Sequence, residues 1–139
     1  MIAIILIGHA HISREMRVGV EHVLGPQAQF ESLDVEDSDQ PEHIRQQLQT
    51  LIEQLDSGHG VLIFADMFGG TPCNVALSFT AQNRVDVISG FNLPAVIKAV
   101  SMRKQSHPLS IVAREALTCG RQYMQRASEL MEGQADTHA

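Results

Sequence analysis

The sequence is poor in aromatic side chains. Its 139 residues include no tryptophan and one tyrosine, and aromatic residues make up 4% of the chain. This shortage disfavours a flavin-binding module, which would stack the flavin ring on aromatic side chains. Cysteines are also few. Cys73 and Cys119 lack CxxC or zinc-ligand spacing, so we expect two reduced thiols in a cytoplasmic protein.

Basic residues and long apolar runs are scarce as well. The chain has 10 Lys and Arg against 16 Asp and Glu, a formal net charge of -6. Without a Lys/Arg cluster it lacks the electrostatic footprint of a nucleic-acid binder or of an anionic-membrane binder. The first apolar run, residues 2–7, has no basic stretch before it, so we expect no signal peptide. No run approaches the ~20 residues that a membrane-spanning helix needs.

What the sequence does contain fits one globular domain. Hydrophobic residues make up 44% and charged residues 19%, which excludes a disordered chain. A length of 139 residues suits one domain and leaves no room for a second. We assign residues 1–131 to this domain and expect residues 132–139 to form a flexible tail.

Strand and helix patterns alternate along the chain. Residues 2–7 and 61–65 are wholly apolar, as in strands buried on both faces, whereas the strand patterns at 29–35 and 84–88 also carry charges. Helices are predicted over residues 13–24 and 109–117. A further helix is predicted to end at Leu55, and two others are predicted to begin near Pro72 and near Pro94.

Local signals predict where some of these helices begin and end. Asp39 and Glu42 resemble a capping box at the start of the second helix. Gly120 is expected to stop the last one. The pattern of residues 122–126 fits either a helix or a strand.

The alternation predicts an α/β fold of three layers, a parallel sheet with helices on both faces. The two wholly apolar strands should be central and the charged ones should flank them. Numbered along the chain, this gives the order 2-1-3-4, the start of a flavodoxin-like sheet. Ligands bind such sheets beyond the carboxyl ends of the strands, where the order reverses. Here the reversal lies between the first and third strands.

Two polar side chains follow these two strands, His9 after the first and Asp66 after the third. A neutral imidazole is a good nucleophile near physiological pH. A carboxylate bonded to one ring nitrogen fixes the tautomer and leaves the other nitrogen free to attack. It also stabilises the positive charge that develops on the ring. The topology therefore predicts an activated histidine.

A glycine-rich helix start lies beside this pair. Gly69 and Gly70 let the backbone approach a ligand closely, and they lead into a helix whose N-terminus favours an anion. Thr71 is predicted to cap that helix and to add a hydroxyl donor. The P-loop pattern GxxxxGK[ST] is absent, which argues against nucleoside triphosphate hydrolysis. The combination predicts a site that accepts and holds a phosphoryl group on His9.

Each feature taken alone also fits a structural role, as a loop histidine, a turn aspartate or a turn before a capped helix. His11 is the nearest rival to His9 and a candidate accessory residue. His9, His11 and Asp66 could in principle bind a metal. The glycine-rich helix start has no role in a metal site, so we favour phosphoryl chemistry and expect no metal.

Three blocks of sequence carry a family resemblance: AIILIGHAHISREM, GVLIFADMFGGTPCNVA and VISGFNLPAVIKAV. They resemble the mannose-class enzyme IIA of the bacterial phosphoenolpyruvate:sugar phosphotransferase system (PTS). The family's phosphorylated histidine falls on His9. Its Asp-x-x-Gly-Gly-Thr/Ser-Pro pattern begins at Asp66, and the third block includes Asn92 as a possible accessory residue. The resemblance covers about residues 1–126.

The resemblance implies that His9 takes a phosphoryl group from the histidine-containing phosphocarrier protein and passes it to an enzyme IIB for carbohydrate uptake, with no cofactor. Asp66 would bond the imidazole, and Thr71 with Gly69 and Gly70 would contact the phosphoryl group. Contact with the membrane would be indirect, through the permease. The resemblance also implies a homodimer that exchanges an antiparallel C-terminal edge strand, which would lie at residues 122–126.

Two departures and two alternatives accompany this resemblance. Ala10 stands where the family usually has glycine, and His11 is not a fixed feature of the family. A regulatory phosphoacceptor with no transport role shares all of this chemistry. The phosphocarrier subunit of dihydroxyacetone kinases shares the fold and the early histidine but lacks the Asp-x-x-Gly-Gly-Thr-Pro block.

Overall fold

Four parallel strands form the sheet: β1 (Ala3–His9), β2 (Phe30–Val35), β3 (Val61–Ala65) and β4 (Val85–Ser89). Their order is β2-β1-β3-β4, which confirms the predicted topology. The computed structural model describes residues 1–80 and 84–138. In the register, His9 lies opposite Val35 and Ile7 opposite Ala65. The carboxyl ends of β1, β2 and β3 therefore meet at one edge of the sheet.

Five helices cover the two faces of the sheet: α1 (Ile12–Leu24), α2 (Pro41–Leu55), α3 (Thr71–Leu77), α4 (Leu93–Met102) and α5 (Leu109–Tyr123). A further helix, α6 (Ala127–His138), follows α5, and its residues 127–133 are exposed. Alternate residues of β1 point to opposite faces. Ile4 and Leu6 pack in the core under α1, α4 and α5, whereas Ile5 and Ile7 pack in the core under α2 and α3. All four are fully buried, which explains the unbroken apolar run. In the part of the chain described here, no helix combines the length and the apolar character needed to cross a membrane.

The predicted helix stop at Gly120 is wrong, because α5 continues to Tyr123. Gly120 is buried where α5 packs on α4. A Cβ atom there would lie 2.8 Å from the Cβ of Ala95 and 3.1 Å from Oδ1 of Asn92. The glycine lets two helices approach closely and does not end one.

The C-terminal region differs from the strand that the resemblance implied. Residues 122 and 123 complete α5, residues 124–126 connect it to α6, and no strand forms there in the described chain. Residues 132–138 continue α6, and residue 139 lies outside the described residues. The flexibility of the tail, the domain boundary at 131 and the exchanged dimer strand stay predictions.

The predicted capping box of α2 is also wrong. The N-cap residue is Gln40, which makes no side-chain cap bond, and Pro41 starts the helix. Asp39 Oδ2 instead accepts a hydrogen bond of 2.7 Å from the backbone N–H of Glu36. Asp39 therefore closes the turn between β2 and α2, a role that short polar side chains commonly take.

Arg103 links several elements at the opposite end of the sheet, where β1 and β2 begin. It caps the C-terminus of α4, is buried, and its guanidinium donates to the backbone carbonyls of Ile2, Ala28 and Gln29. Desolvation lowers the pKa of this guanidinium to about 10, so it stays charged at neutral pH. Arg103 thus ties α4 to the start of β1 and to the segment before β2.

We expect Arg103→Met to lower the free energy of unfolding by about 2 kcal/mol, because three backbone carbonyls lose a charged donor. Urea denaturation measures this change. Lys104→Met, at the exposed neighbouring position, is the matched control and should stay within about 0.5 kcal/mol of the wild type. An Arg103→Met protein as stable as the control would contradict the linking role of Arg103.

Candidate functional site

The site is built on a contact between the ends of two neighbouring strands. His9 is the last residue of β1, and Asp66 directly follows β3. Nδ1 of His9 lies 2.8 Å from Oδ2 of Asp66, and the backbone N–H of His9 donates to the same oxygen at 2.8 Å. The imidazole is 46% exposed, whereas the aspartate side chain is only 10% exposed. The structure thus brings the two predicted residues together, with the carboxylate on the protected side.

Asp66 is held by a third hydrogen bond. Its Oδ1 accepts from the backbone N–H of Met67 at 2.9 Å. Because ionised carboxylates only accept hydrogen bonds, Nδ1 of His9 carries the ring proton. Nε2 then keeps its lone pair free on the exposed side of the ring. The local geometry fixes both the tautomer and the direction of a nucleophilic nitrogen.

Glycine is required next to this pair. A Cβ on Gly8 would lie 2.7 Å from Cγ2 of Ile12 and 3.2 Å from the Asp66 carboxylate. Real Cβ contacts of 2.7 Å essentially do not occur, so a side chain at this position would displace Asp66 or the start of α1. Gly8 is therefore part of the site.

Gly70 lies close to the imidazole and leaves no room for a side chain. A Cβ on Gly70 would lie 2.8 Å from Cε1 and 3.3 Å from Nε2 of His9. Gly69 has a φ of 87°, and a Cβ added there would meet no atom within 4 Å. Its role is therefore to allow the left-handed backbone conformation of the turn. Thr71 is not the N-cap as predicted, because Gly70 takes that position and Thr71 is the first helical residue. Thr71 is exposed and lines the same depression of about 160 Å³ as His9.

Acidic residues surround the remaining side of the depression, which sequence reasoning missed. Glu36, Asp37 and Asp39, in the turn between β2 and α2, line it together with His9. No lysine or arginine is among the described residues that line it. The acidic run at 34–39 was visible in the sequence, but only the strand order places it beside His9.

The two predicted accessory residues lie outside the His9–Asp66 pair. His11 bonds a different carboxylate, with Nδ1 2.9 Å from Oδ2 of Asp34. Asn92 caps α4 by accepting from the N–H of Ala95 at 3.0 Å, and it donates to the carbonyl of Gly120 at 2.9 Å. Asn92 therefore has a structural role. Among the side chains that the structure describes, in residues 1–80 and 84–133, no group of three or more His, Cys, Asp or Glu is placed to hold a metal ion.

Comparison with known proteins bears on this geometry. The family model EIIA-man, described as "PTS system fructose IIA component", matches residues 3–116. The chain belongs to the EIIA-man family. The matched segment of EIIA-man includes β1 to β4 and every site residue described above. The end of α5 and all of α6 lie beyond it.

Curated relatives and solved structures agree with the EIIA-man assignment. The chain is 27% identical over 105 residues to the fructose-specific EIIA component of the PTS from Bacillus subtilis (strain 168), covering 75% of this chain and 72% of the relative. It is 28% identical over 96 residues to the sorbose-specific EIIA component from Lacticaseibacillus casei, covering 68% and 69%. The crystal structure of a PTS component EIIA from Streptococcus agalactiae has the same fold, with a TM-score of 0.85, 22% identity and coverage of 93% and 99%.

Ala10, which stands where the EIIA-man family usually has glycine, has a strained backbone conformation. Its φ is +50°, in the left-handed region, while its N–H donates to the carbonyl of Val35 at 2.8 Å. The left-handed region costs an L-residue about 1–2 kcal/mol. The backbone bond to Val35 anchors this conformation.

Ala10→Gly is expected to raise the free energy of unfolding by about 0.5–1 kcal/mol. Relief of the strain is partly offset by the larger entropy of an unfolded chain with one more glycine, about 0.4–1 kcal/mol. Chemical denaturation measures the change. Ala113→Gly, inside α5, is the control and should destabilise the protein. A less stable Ala10→Gly protein would contradict the strain at this position.

Proposed function

We propose that this EIIA-man chain carries phosphoryl groups in the cytoplasm. His9 accepts one from the histidine-containing phosphocarrier protein and passes it to an enzyme IIB of a sugar permease. The single observation that supports this most strongly is the 2.8 Å bond between His9 Nδ1 and Asp66, which leaves Nε2 free on a half-exposed ring.

The transfer follows from this geometry. The lone pair on His9 Nε2 attacks the phosphorus, the new N–P bond forms, and the P–N bond to the donor histidine breaks. The proton stays on Nδ1, so the ring gains positive charge that the Asp66 carboxylate offsets. The onward step is the reverse, because a nucleophile of the IIB protein takes the phosphoryl group and His9 returns to its neutral form.

The start of α3 supports binding of the transferred group. The first turn of a helix leaves backbone N–H groups without intrahelical partners. Gly70 lies close to the imidazole, and Thr71 adds a hydroxyl at the depression that His9 lines. We infer that Gly69, Gly70 and Thr71 donate to the phosphoryl oxygens, since the described lining residues include no lysine or arginine.

The acidic turn between β2 and α2 supports a short lifetime of the phosphorylated state. Glu36, Asp37 and Asp39 line the depression beside His9. Their negative charges repel a dianionic phosphoryl group and raise the free energy of the phosphorylated state. A carrier must release what it accepts, and a site with neutral donors and an acidic rim favours release over storage.

A reconstituted relay tests the proposal. The wild-type chain is incubated with phosphoenolpyruvate, enzyme I and the phosphocarrier protein, and its intact mass is measured before and after an enzyme IIB is added. We expect one acid-labile phosphoryl group, lost again when IIB is present, and no labelling when the phosphocarrier protein is omitted. Stable phosphorylation that IIB never removes would contradict the transport role and favour a phosphoacceptor that only regulates.

A further inference from the structure

A second histidine–carboxylate pair lies at the same edge of the sheet. His11 immediately precedes α1, and its Nδ1 is 2.9 Å from Oδ2 of Asp34, near the carboxyl end of β2. The His11 side chain is 53% exposed and that of Asp34 is 23% exposed. The arrangement repeats the geometry of His9 and Asp66, with Nδ1 on a carboxylate and Nε2 free.

Neighbouring side chains hold Asp34 in place. The buried Ser13 hydroxyl lies 3.0 Å from the carbonyl of Leu33 and 3.4 Å from Oδ1 of Asp34. Nε of Arg14 is 3.7 Å from Oδ2 of Asp34. Because a carboxylate only accepts hydrogen bonds, Asp34 fixes the proton of His11 on Nδ1.

The other histidines whose side chains the structure describes lack this arrangement. His59 contacts Ser57, and His107 contacts the side-chain oxygen of Gln105. Among the histidines whose side chains are described, His9 and His11 are the two within 4.0 Å of a carboxylate. Exposed His22 and His43 thus provide internal references for an unassisted imidazole.

We propose that His11 is a second phosphoryl-acceptor residue, with Asp34 as its orienting carboxylate and with N–P compounds as its class of donor. Nε2 of His11 attacks the phosphorus, the N–P bond of the donor breaks, and the proton stays on Nδ1 against Asp34. With phosphoramidate as donor, the leaving group is ammonia and no further reactant is needed. Arg14 beside the pair favours the dianionic product.

This inference rests on the proposed function only for its donor in the cell. The chemistry itself depends on the His11–Asp34 pair and is independent of whether His9 is the main acceptor. A small donor is the sharper probe, because it needs no docking surface and reacts with each exposed imidazole according to the local geometry.

The experiment treats the wild-type chain with phosphoramidate at neutral pH and maps phosphohistidine by mass spectrometry of peptides kept above neutral pH. We expect the initial rate of labelling at both His9 and His11 to exceed that at His22 and His43 at least tenfold. A rate at His11 no higher than at these two references would overturn the proposal.

Two variants separate this inference from the proposed function. Asp34→Asn should lower labelling of His11 at least tenfold and leave His9 unchanged, whereas Asp86→Asn, at an exposed position of β4, should change neither. Unchanged labelling of His11 in Asp34→Asn would overturn the role of the pair. Labelling of His11 without His9 would contradict the proposed function and support this inference, and labelling of His9 without His11 would do the reverse.

Discussion

Asp66→Asn is expected to slow phosphoryl transfer to His9 by about 10³–10⁴-fold, the size of effect seen when an orienting aspartate beside a catalytic histidine loses its charge. Asp66 accepts three N–H groups, from the His9 ring, the His9 backbone and the Met67 backbone. An asparagine has one acceptor oxygen and one NH₂ group in the same space. Either orientation places the NH₂ group against an N–H donor.

The consequence for the imidazole depends on which way the asparagine turns. If its NH₂ group faces Nδ1, the ring must carry its proton on Nε2, and the nucleophilic lone pair is lost. If its oxygen faces Nδ1, the NH₂ group opposes the N–H of Met67, and the negative charge that stabilises a positive ring is still missing. Both outcomes slow the same step, so we expect a large loss in either case.

Transfer from the phosphocarrier protein, measured by rapid quench, gives the rate, and His9→Ala sets the background. Asp86→Asn is the matched control, because Asp86 Oδ1 also accepts the backbone N–H of the following residue, at 2.8 Å, but far along the sheet from His9. The transfer rates of the two asparagine variants should differ by about 10³–10⁴-fold. Asp66→Asn transferring at the rate of Asp86→Asn would rule out the orienting role.

Gly70→Ala is the second substitution with a large expected effect, a loss of about 100-fold in the rate of transfer to His9. The added methyl would lie 2.8 Å from Cε1 and 3.3 Å from Nε2 of the imidazole. The ring must move, the loop must move, or both, and displacement of a reacting group by about 1 Å can cost two orders of magnitude. The methyl also shields the nitrogen that attacks.

Gly69→Ala serves as the control for this variant. It strains a residue with φ of 87° in the same loop but meets no atom within 4 Å. We expect it to cost about 1 kcal/mol of stability and to change the transfer rate much less than Gly70→Ala. Equal losses in the two variants would show that loop strain, and not contact with the imidazole, limits the reaction.

Much of the fold could be predicted because burial leaves a clear pattern. The apolar runs that became β1 and β3 mark the centre of the sheet, and the charged residues of β2 and β4 mark its flanks. That contrast was enough to give the strand order. Gly120 shows the limit, because a glycine that ends a helix and one that lets two helices touch look alike in sequence.

Part of the candidate site could also be predicted from the sequence. Strand order alone placed His9 beside Asp66, since parallel strands bring their carboxyl ends to one edge. The closeness of Gly70 to the ring, the pairing of His11 with Asp34 and the acidic rim depend on where loops turn. Such turns follow from tertiary packing, which no local pattern in this sequence encodes.

The position of the phosphoryl group after a brief relay reaction tests the role of His9 most directly. The wild-type chain is phosphorylated by phosphoenolpyruvate, enzyme I and the phosphocarrier protein, and its peptides are mapped by mass spectrometry above neutral pH. We expect phosphohistidine at His9, attached through Nε2, as the earliest and main product. A phosphorylated chain with no phosphoryl group on His9 would contradict the assignment of His9 as the acceptor.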